Sequence, residues 1–242
     1  MRRPEASDLK PYRKTLWRII EGQARSSTLR LVDTFDEHDT LEALLEAAKP
    51  PVPDECAHLD YQFWSPFRYG RYPTSLRFRR AGKPPGVWYG SEEPLTAIAE
   101  TIWGNLHFYA NSPGTPFPRK PVDYTGVQAD ITTPFALDLT APPWSDDLAW
   151  TDPDDYEPCL KLAEEARTAG AEIIRYVSVR HPDQAANAAV LTCAAFQQPA
   201  LIAAQTWTIL YAERIIRATC ETTRQRYMLV KDQVKLAFWA SD

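Results

Sequence analysis

"GVWYGSEEPLTAIAE" (86–100) decides how the rest of this chain is read. Val87, Trp88 and Tyr89 are β-branched or aromatic and suit an extended strand. Gly90 and Ser91 break that run, and beyond them Leu95, Ile98, Ala99, Ile102 and Trp103 recur at the spacing of one helical face. Ser91 is a candidate cap, and Pro94 fits a first turn, where a missing N–H costs nothing. The stretch therefore predicts a strand, a short turn and an amphipathic helix. Helical positions advance about 100° per residue, which puts Glu100 roughly 130° from the centre of the apolar stripe. Glu93 shares that face. A carboxylate so placed is either an ordinary solvated surface group or faces a cleft.

Working outward, "TLWRII" (15–20) reads as a short buried strand and residues 1–14 as a polar, loosely attached N-terminus. "DTLEALLEAAK" (39–49) has helical spacing, with Asp39 as candidate cap and "PPVP" (50–53) as its stop. Residues 61–80 combine seven aromatics with five arginines and read as a long ordered loop leading to a strand edge. "YTGVQADI" (124–131) and "PFALDLT" (134–140) form one strand, or two with a break. "PCLKLAEEARTAG" (158–170) is a helix closed by Gly170, and "AEIIRYVSV" (171–179) and "AAVLTC" (188–193) are strands. The β-branched and aromatic residues of "AQTWTILYAERIIRATCE" (204–221) and "TTRQRYMLVKDQVKLAFW" (222–239) predict a terminal hairpin or meander, with a helical last segment as the alternative. The fold class is α+β (mixed α/β). Regular βαβ alternation is missing, which argues against a doubly wound sheet. No GxGxxG and no GxxxxGK[ST] occurs in the sequence.

Composition narrows the function classes. Hydrophobic residues make up 44% and charged residues 24% of 242, as in ordinary globular domains. The net charge of −5 argues against direct nucleic-acid binding. Cys56, Cys159, Cys193 and Cys220 show no CxxC pairing and the histidines no ligand spacing, so neither a metal site nor a disulfide framework is expected, and a reducing cytoplasm fits. No apolar run approaches the ~18 residues of a membrane span.

Arg68, Arg71, Arg77, Arg79 and Arg80 fall within thirteen positions, interleaved with Phe67, Tyr69, Tyr72 and Phe78. Guanidinium groups fork onto phosphate oxygens and rings stack on bases, so the mixture suits a phosphorylated, ring-bearing ligand. Arginines stacked on aromatic surface and paired with the acidic excess give the same pattern without a ligand. Ser178 lies between two valines with no GxSxG elbow around it, which speaks against a hydrolase nucleophile. His181, directly before Pro182, reads as a loop residue rather than a catalytic base, and His58 and His107 have no evident partner.

The order of these pieces is more specific than any one of them. Arg18 on the first strand, the aromatic–arginine stretch, "SLRFRRAG" (75–82), "GVWYGSEEPLTAIAE" and "IRYVSVRHPDQAANAAV" (174–190) together resemble the RES domain family, named for recurring arginine, glutamate and serine positions. The resemblance runs from about residue 15 to about residue 210. It divides the chain into the loose residues 1–14 and a single RES-type domain, 15–242, with an N-terminal extension at about 20–70. It implies a fold similar to ADP-ribosyltransferases, with central sheets and flanking helices, and a toxin of a bacterial toxin–antitoxin pair that consumes NAD as substrate. By position, Arg77 looks like the family arginine, Glu100 the glutamate and Ser178 the serine, the three catalytic candidates. Arg18, Arg77, Tyr89 and Ser178 look like the NAD-binding set, Tyr89 beside nicotinamide and Ser178 on a phosphate or the nicotinamide amide. "TSLRFRR" lacks the family's glycines around the arginine, so Arg77, Arg79 and Arg80 remain exchangeable. Where the family has an asparagine–glycine pattern after the serine strand, "HPDQAAN" offers Asn187 alone.

Breaking the nicotinamide–ribose bond develops positive charge on the ribose, as in glycoside cleavage. The leaving ring is already cationic, so one carboxylate can suffice, and Glu100 fits that role. A protein side chain as acceptor gives ADP-ribosylation, phosphate gives phosphorolysis and water gives hydrolysis. The extension at 20–70 favours a protein acceptor. The implied partner is an antitoxin with an Xre-like helix-turn-helix domain whose C-terminal segment blocks the cleft, with nucleic acid reached only through that antitoxin. A non-catalytic nucleotide-binding module and a nucleic-acid-acting toxin are the rival classes.

Overall fold

The computed structural model describes residues 2–21, 28, 31–69, 71–112, 114–212 and 214–230. Eight strands, β1 (Lys10–Glu21), β2 (Trp88–Ser91), β3 (Val122–Asp138), β4 (Ile173–Val177), β5 (Ala186–Val190), β6 (Ala203–Tyr211), β7 (Ile215–Cys220) and β8 (Arg226–Val230), form one sheet in the order β1-β2-β5-β4-β3-β6-β7-β8. β1 also pairs with β3, which closes a circuit through β1, β2, β5, β4 and β3. Four helices accompany the sheet among the described residues: α1 (Phe35–Ala47), α2 (Tyr61–Arg68), α3 (Pro94–Ala110) and α4 (Glu157–Thr168). This is the expected mixed α/β architecture. No helix among the described residues is long and apolar enough to cross a membrane.

β1 begins at Lys10, inside the stretch expected to be loosely attached. Tyr12 is buried and Lys10 pairs with Ala136, while Glu5 and Asp8 brace a 3-10 turn at Ala6–Asp8 just before the strand. β3 is one strand rather than two. Pro134 lies where the register with β1 slips by a residue, which is where a residue without N–H is tolerated in a sheet. Before that point β3 runs between β1 and β6; beyond it, residues 136–138 pair parallel with β4.

Alternation along the strands separates the core into faces. Ile173, Ala188 and Val190 join Trp88, Phe63 and Phe196 on one side. Ile174, Tyr176, Ala189 and Leu191 join α4, Trp144 and Trp150 on the other. A third cluster packs Ile98, Ala99, Ile102 and Leu106 of α3 against Trp207, Ile209 and Ile216 of the terminal meander. The meander β6–β8 is as expected; residues 231–239 of its predicted last segment lie outside the described residues.

Four local expectations are corrected. Residues 61–68 form α2, not a loop, because Phe63 and Phe67 sit one turn apart and are both buried. Pro66 has no N–H to return to the carbonyl of Gln62, and that carbonyl accepts the indole hydrogen of Trp88 at 3.1 Å. α1 starts at Phe35, not after Asp39, because Thr34 and Glu37 form a capping box. Ser91 ends β2 instead of capping α3, whose N-cap is Glu93 with Pro94 following. Cys56 and Cys193, for which no disulfide framework is expected, form a disulfide with Cα atoms 5.4 Å apart, tying the turn before α2 to the turn after β5. The sequence separation of 137 hides that pairing from any spacing rule. Gly170 follows α4 at φ +90°, with Ala171 N bonded to Ala166 O, as expected for a C′ glycine.

Candidate active site

A cleft of about 620 Å³ lies between β1, the end of β2 and one face of α3, walled by residues 74–77, 153–156 and 179–180. β1 and β2 touch at a single register pair, Trp17↔Ser91, and both strands line the cleft around that pair. α3 presents Ala97, Glu100, Gly104, His107 and Asn111 to it, positions three or four apart that share a helical face. The opposite face carries the buried Ile98, Ile102 and Leu106. Glu100 thus leaves the apolar stripe and faces the cleft, half-buried. Trp103, expected on the stripe, packs against the α3 core cluster and also lines the cleft, with the Arg180 guanidinium 4.8 Å from its ring centre.

Glu100 is held by one oxygen. Its Oε1 accepts from Ser178 Oγ at 2.7 Å and from Asn187 Nδ2 at 2.7 Å. Ser178 is fully buried at 0% exposure, and its oxygen accepts from the backbone N–H groups of Arg180 and His181. With its hydrogen committed to Glu100, Ser178 stands behind the carboxylate rather than in the cleft lining.

Arg18, on β1, enters the cleft beside Trp17 and Ile19. Its guanidinium lies 5.6 Å from the Trp88 ring centre, and its Nη1 is shielded from solvent with no hydrogen-bond partner among the described residues. Burial pushes its pKa down to about 10. Tyr89 lines the same cleft and its hydroxyl accepts from Phe78 N at 3.1 Å; burial holds the phenol well above its usual range.

The three exchangeable arginines part company. Arg77 lines the cleft, but its Nη1 donates to the carbonyls of Trp150 at 3.0 Å and Asp152 at 2.8 Å, and its guanidinium stacks 4.7 Å from the Tyr156 ring centre. It braces the wall at 150–156. Arg79 stacks on Tyr72 and donates to Thr74 O. Arg80 pairs with Glu157 and Glu164 of α4 and does not line the cleft.

Sequence reading missed Asn187, His107 and Arg180 as cleft residues. His107 lies seven positions after Glu100, and that spacing was available in the sequence. Burial, then the nearby Arg180 charge, holds its imidazole below the usual range. The approach of Asn187 depends on pairing of β5 with β2 and β4, which no local pattern encodes.

Among solved structures, the M. tuberculosis MbcT–MbcA toxin–antitoxin complex is similar, with a TM-score of 0.47 and 12% identity over 82% of this chain and 89% of that chain. No curated protein matches this chain. A family match spans residues 52–212, about two thirds of the sequence, and takes in Arg77, Tyr89, Glu100, Ser178 and Asn187, with Arg18 upstream of it. With that span matched by the RES domain, the chain belongs to the RES domain family.

Proposed function

We propose that this protein is the toxin of a toxin–antitoxin pair and breaks the nicotinamide–ribose bond of NAD. One observation carries the reading most: Arg18, whose shielded Nη1 has no hydrogen-bond partner among the described residues, lines the same cleft as a carboxylate anchored by one oxygen, Glu100. A buried cation lacking an acceptor suits an anionic ligand group. A pyrophosphate supplies that group, and the cleft volume matches a ligand of this size.

In this reading Arg18 grips the pyrophosphate, and Tyr89 stacks on the nicotinamide. Arg77 keeps the 150–156 wall in place at the phosphate end, and Ser178 holds Glu100. The C1′–N bond breaks with its electron pair passing to the nicotinamide nitrogen, so neutral nicotinamide departs. Glu100 faces the ribose cation and holds its 2′-hydroxyl. The acceptor's nucleophilic atom then bonds to C1′ and its proton passes to solvent. A protein side chain is the acceptor we favour, the N-terminal extension at about 20–70 offering a docking surface; residues 22–27, 29–30 and 70 of it lie outside the described residues. Phosphate or water in that position gives phosphorolysis or hydrolysis. We assign the partner as an antitoxin with an Xre-like helix-turn-helix domain whose C-terminal segment fills this cleft.

The test is incubation of purified protein with NAD labelled in its adenylate half, with and without cell extract and with and without phosphate. Nicotinamide release with a labelled protein band supports transfer; labelled ADP-ribose or a phosphorylated product reassigns the acceptor. Glu100→Gln should reduce release by about 10²–10³-fold. Unchanged release in that variant, or binding of NAD without release by the parent protein, rules the reading out.

A further inference from the structure

Glu100 is anchored from two sides by neutral donors, and only Ser178 belongs to the residues that give the family its name. The other donor is Asn187, 1% exposed, on β5. Its backbone is fixed on both flanks, paired with Ser91 of β2 and with Tyr176 of β4. Its side chain is fixed as well. Ser91 Oγ donates to Asn187 Oδ1 at 2.6 Å, which turns the amide so that Nδ2 points to Glu100. Ser91 is itself 3% exposed, so this chain of hydrogen bonds is closed to bulk water on the sheet side. Both anchors fall on Oε1, and Oε2 has no hydrogen-bond partner among the described residues.

We propose that Asn187 is the positioning residue for Glu100. With Ser91 behind it, the amide fixes the carboxylate plane through Oε1 and leaves Oε2 for the reacting sugar. This inference rests on the NAD-cleaving reading above. The choice of an amide has a chemical reason. A lysine or arginine at 187 would neutralise the carboxylate that is needed against a ribose cation, whereas an amide orients it and leaves its charge in place. A second carboxylate there would repel it unless the two shared a proton.

The experiment has an arm without NAD and an arm with it. Without NAD, denaturant unfolding of the parent, Asn187→Ala, Glu100→Ala and the double variant forms a cycle; the unfolding constants should be coupled by about tenfold or more if the amide holds the carboxylate. With NAD, Asn187→Ala should lower kcat for nicotinamide release at least about tenfold with KM within about twofold, the signature of a lost transition-state contact. Asn187→Asp is isosteric, donates only when protonated, and should regain activity relative to the parent as pH falls from about 8 to about 5.

The titratable neighbours stay the same in both proteins. Tyr176 on β4 and Tyr227 on β8 are held above the phenol range by burial and then by Glu100. Burial and then Arg180 hold His107 on α3 below the imidazole range, and His181 after β4 and Arg180 are present in parent and variant alike. A merely structural asparagine would give loss of folded protein with no acid recovery. Absent coupling, or Asn187→Ala as active as the parent, overturns this inference alone. Coupling present with no NAD turnover by the parent overturns the NAD reading and, with it, any positioning role in that reaction.

Discussion

The Arg18 guanidinium lies over the Trp88 ring at 5.6 Å while its Nη1 meets no acceptor among the described residues. A shielded charge held mainly by a ring face is costly to the free fold. Arg18→Met should therefore match or exceed the parent in thermal stability, by about 1 kcal/mol, while NAD affinity falls at least tenfold. Calorimetric unfolding and NAD titration of one preparation check both halves. Arg18→Lys keeps the charge and loses the two-pronged geometry, so it should bind NAD between the two.

Gly104 stands in mid-helix between Glu100 and His107, lines the cleft, and a Cβ placed on it meets nothing within 4 Å. Glycine in a helix interior costs about 0.5–1 kcal/mol against alanine, and no packing in the free protein explains it. Gly104→Ala should stabilise by about that amount. Gly104→Leu should remain folded and raise KM for NAD about tenfold or more by occupying ligand space. Denaturant melts beside steady-state kinetics decide it; a Leu variant with parental KM would show that the ligand does not pass this face.

The Cys56–Cys193 disulfide lies in the cluster of Phe63, Trp88 and Phe196 and pins α2 to the sheet. Closing a loop this long is expected to stabilise by about 2–4 kcal/mol. Cys193→Ser should melt lower than the oxidised parent by that amount, and excess reductant should bring the two together. Parallel melts with and without dithiothreitol read the difference.

His107 makes stability pH-dependent. Its folded pKa is depressed below the ordinary 6.5, by burial first and then by Arg180, so the unfolded chain takes up the proton earlier. The contribution is intact above the ordinary imidazole value and is lost as pH falls through it toward the lower folded value. His107→Asn should flatten the stability profile in that window, measured by urea melts at a series of pH values.

Much of the fold was legible from local chemistry. α4 was readable from its spacing and Gly170, β2 and α3 from the fifteen residues 86–100, and the meander from its β-branched runs. α2 was not, because Pro66 and the arginines around it mimic a loop. The two phenylalanines that make it a helix matter only once a partner face exists. Glu100 was legible as a residue outside the apolar stripe. The same helical wheel set Trp103 with the core residues it packs on but could not show that it also lines the cleft, since a wheel reports angle and not what stands opposite.

The sequence by itself determined where most strands and helices lie, that the acidic chain has the ordered motifs of the RES family, and that Glu100 leaves its helix away from the core. Tertiary structure alone decided what Glu100 meets. Ser178 and Asn187 are 78 and 87 positions away, and they reach one oxygen because β4 and β5 pair in a single register beside β2. A slip of one residue would turn both side chains to the other face. Likewise Arg18 Nη1 is left without an acceptor among the described residues, and Cys56 finds Cys193, only through long-range tertiary packing, which leaves no trace in any short stretch of chain.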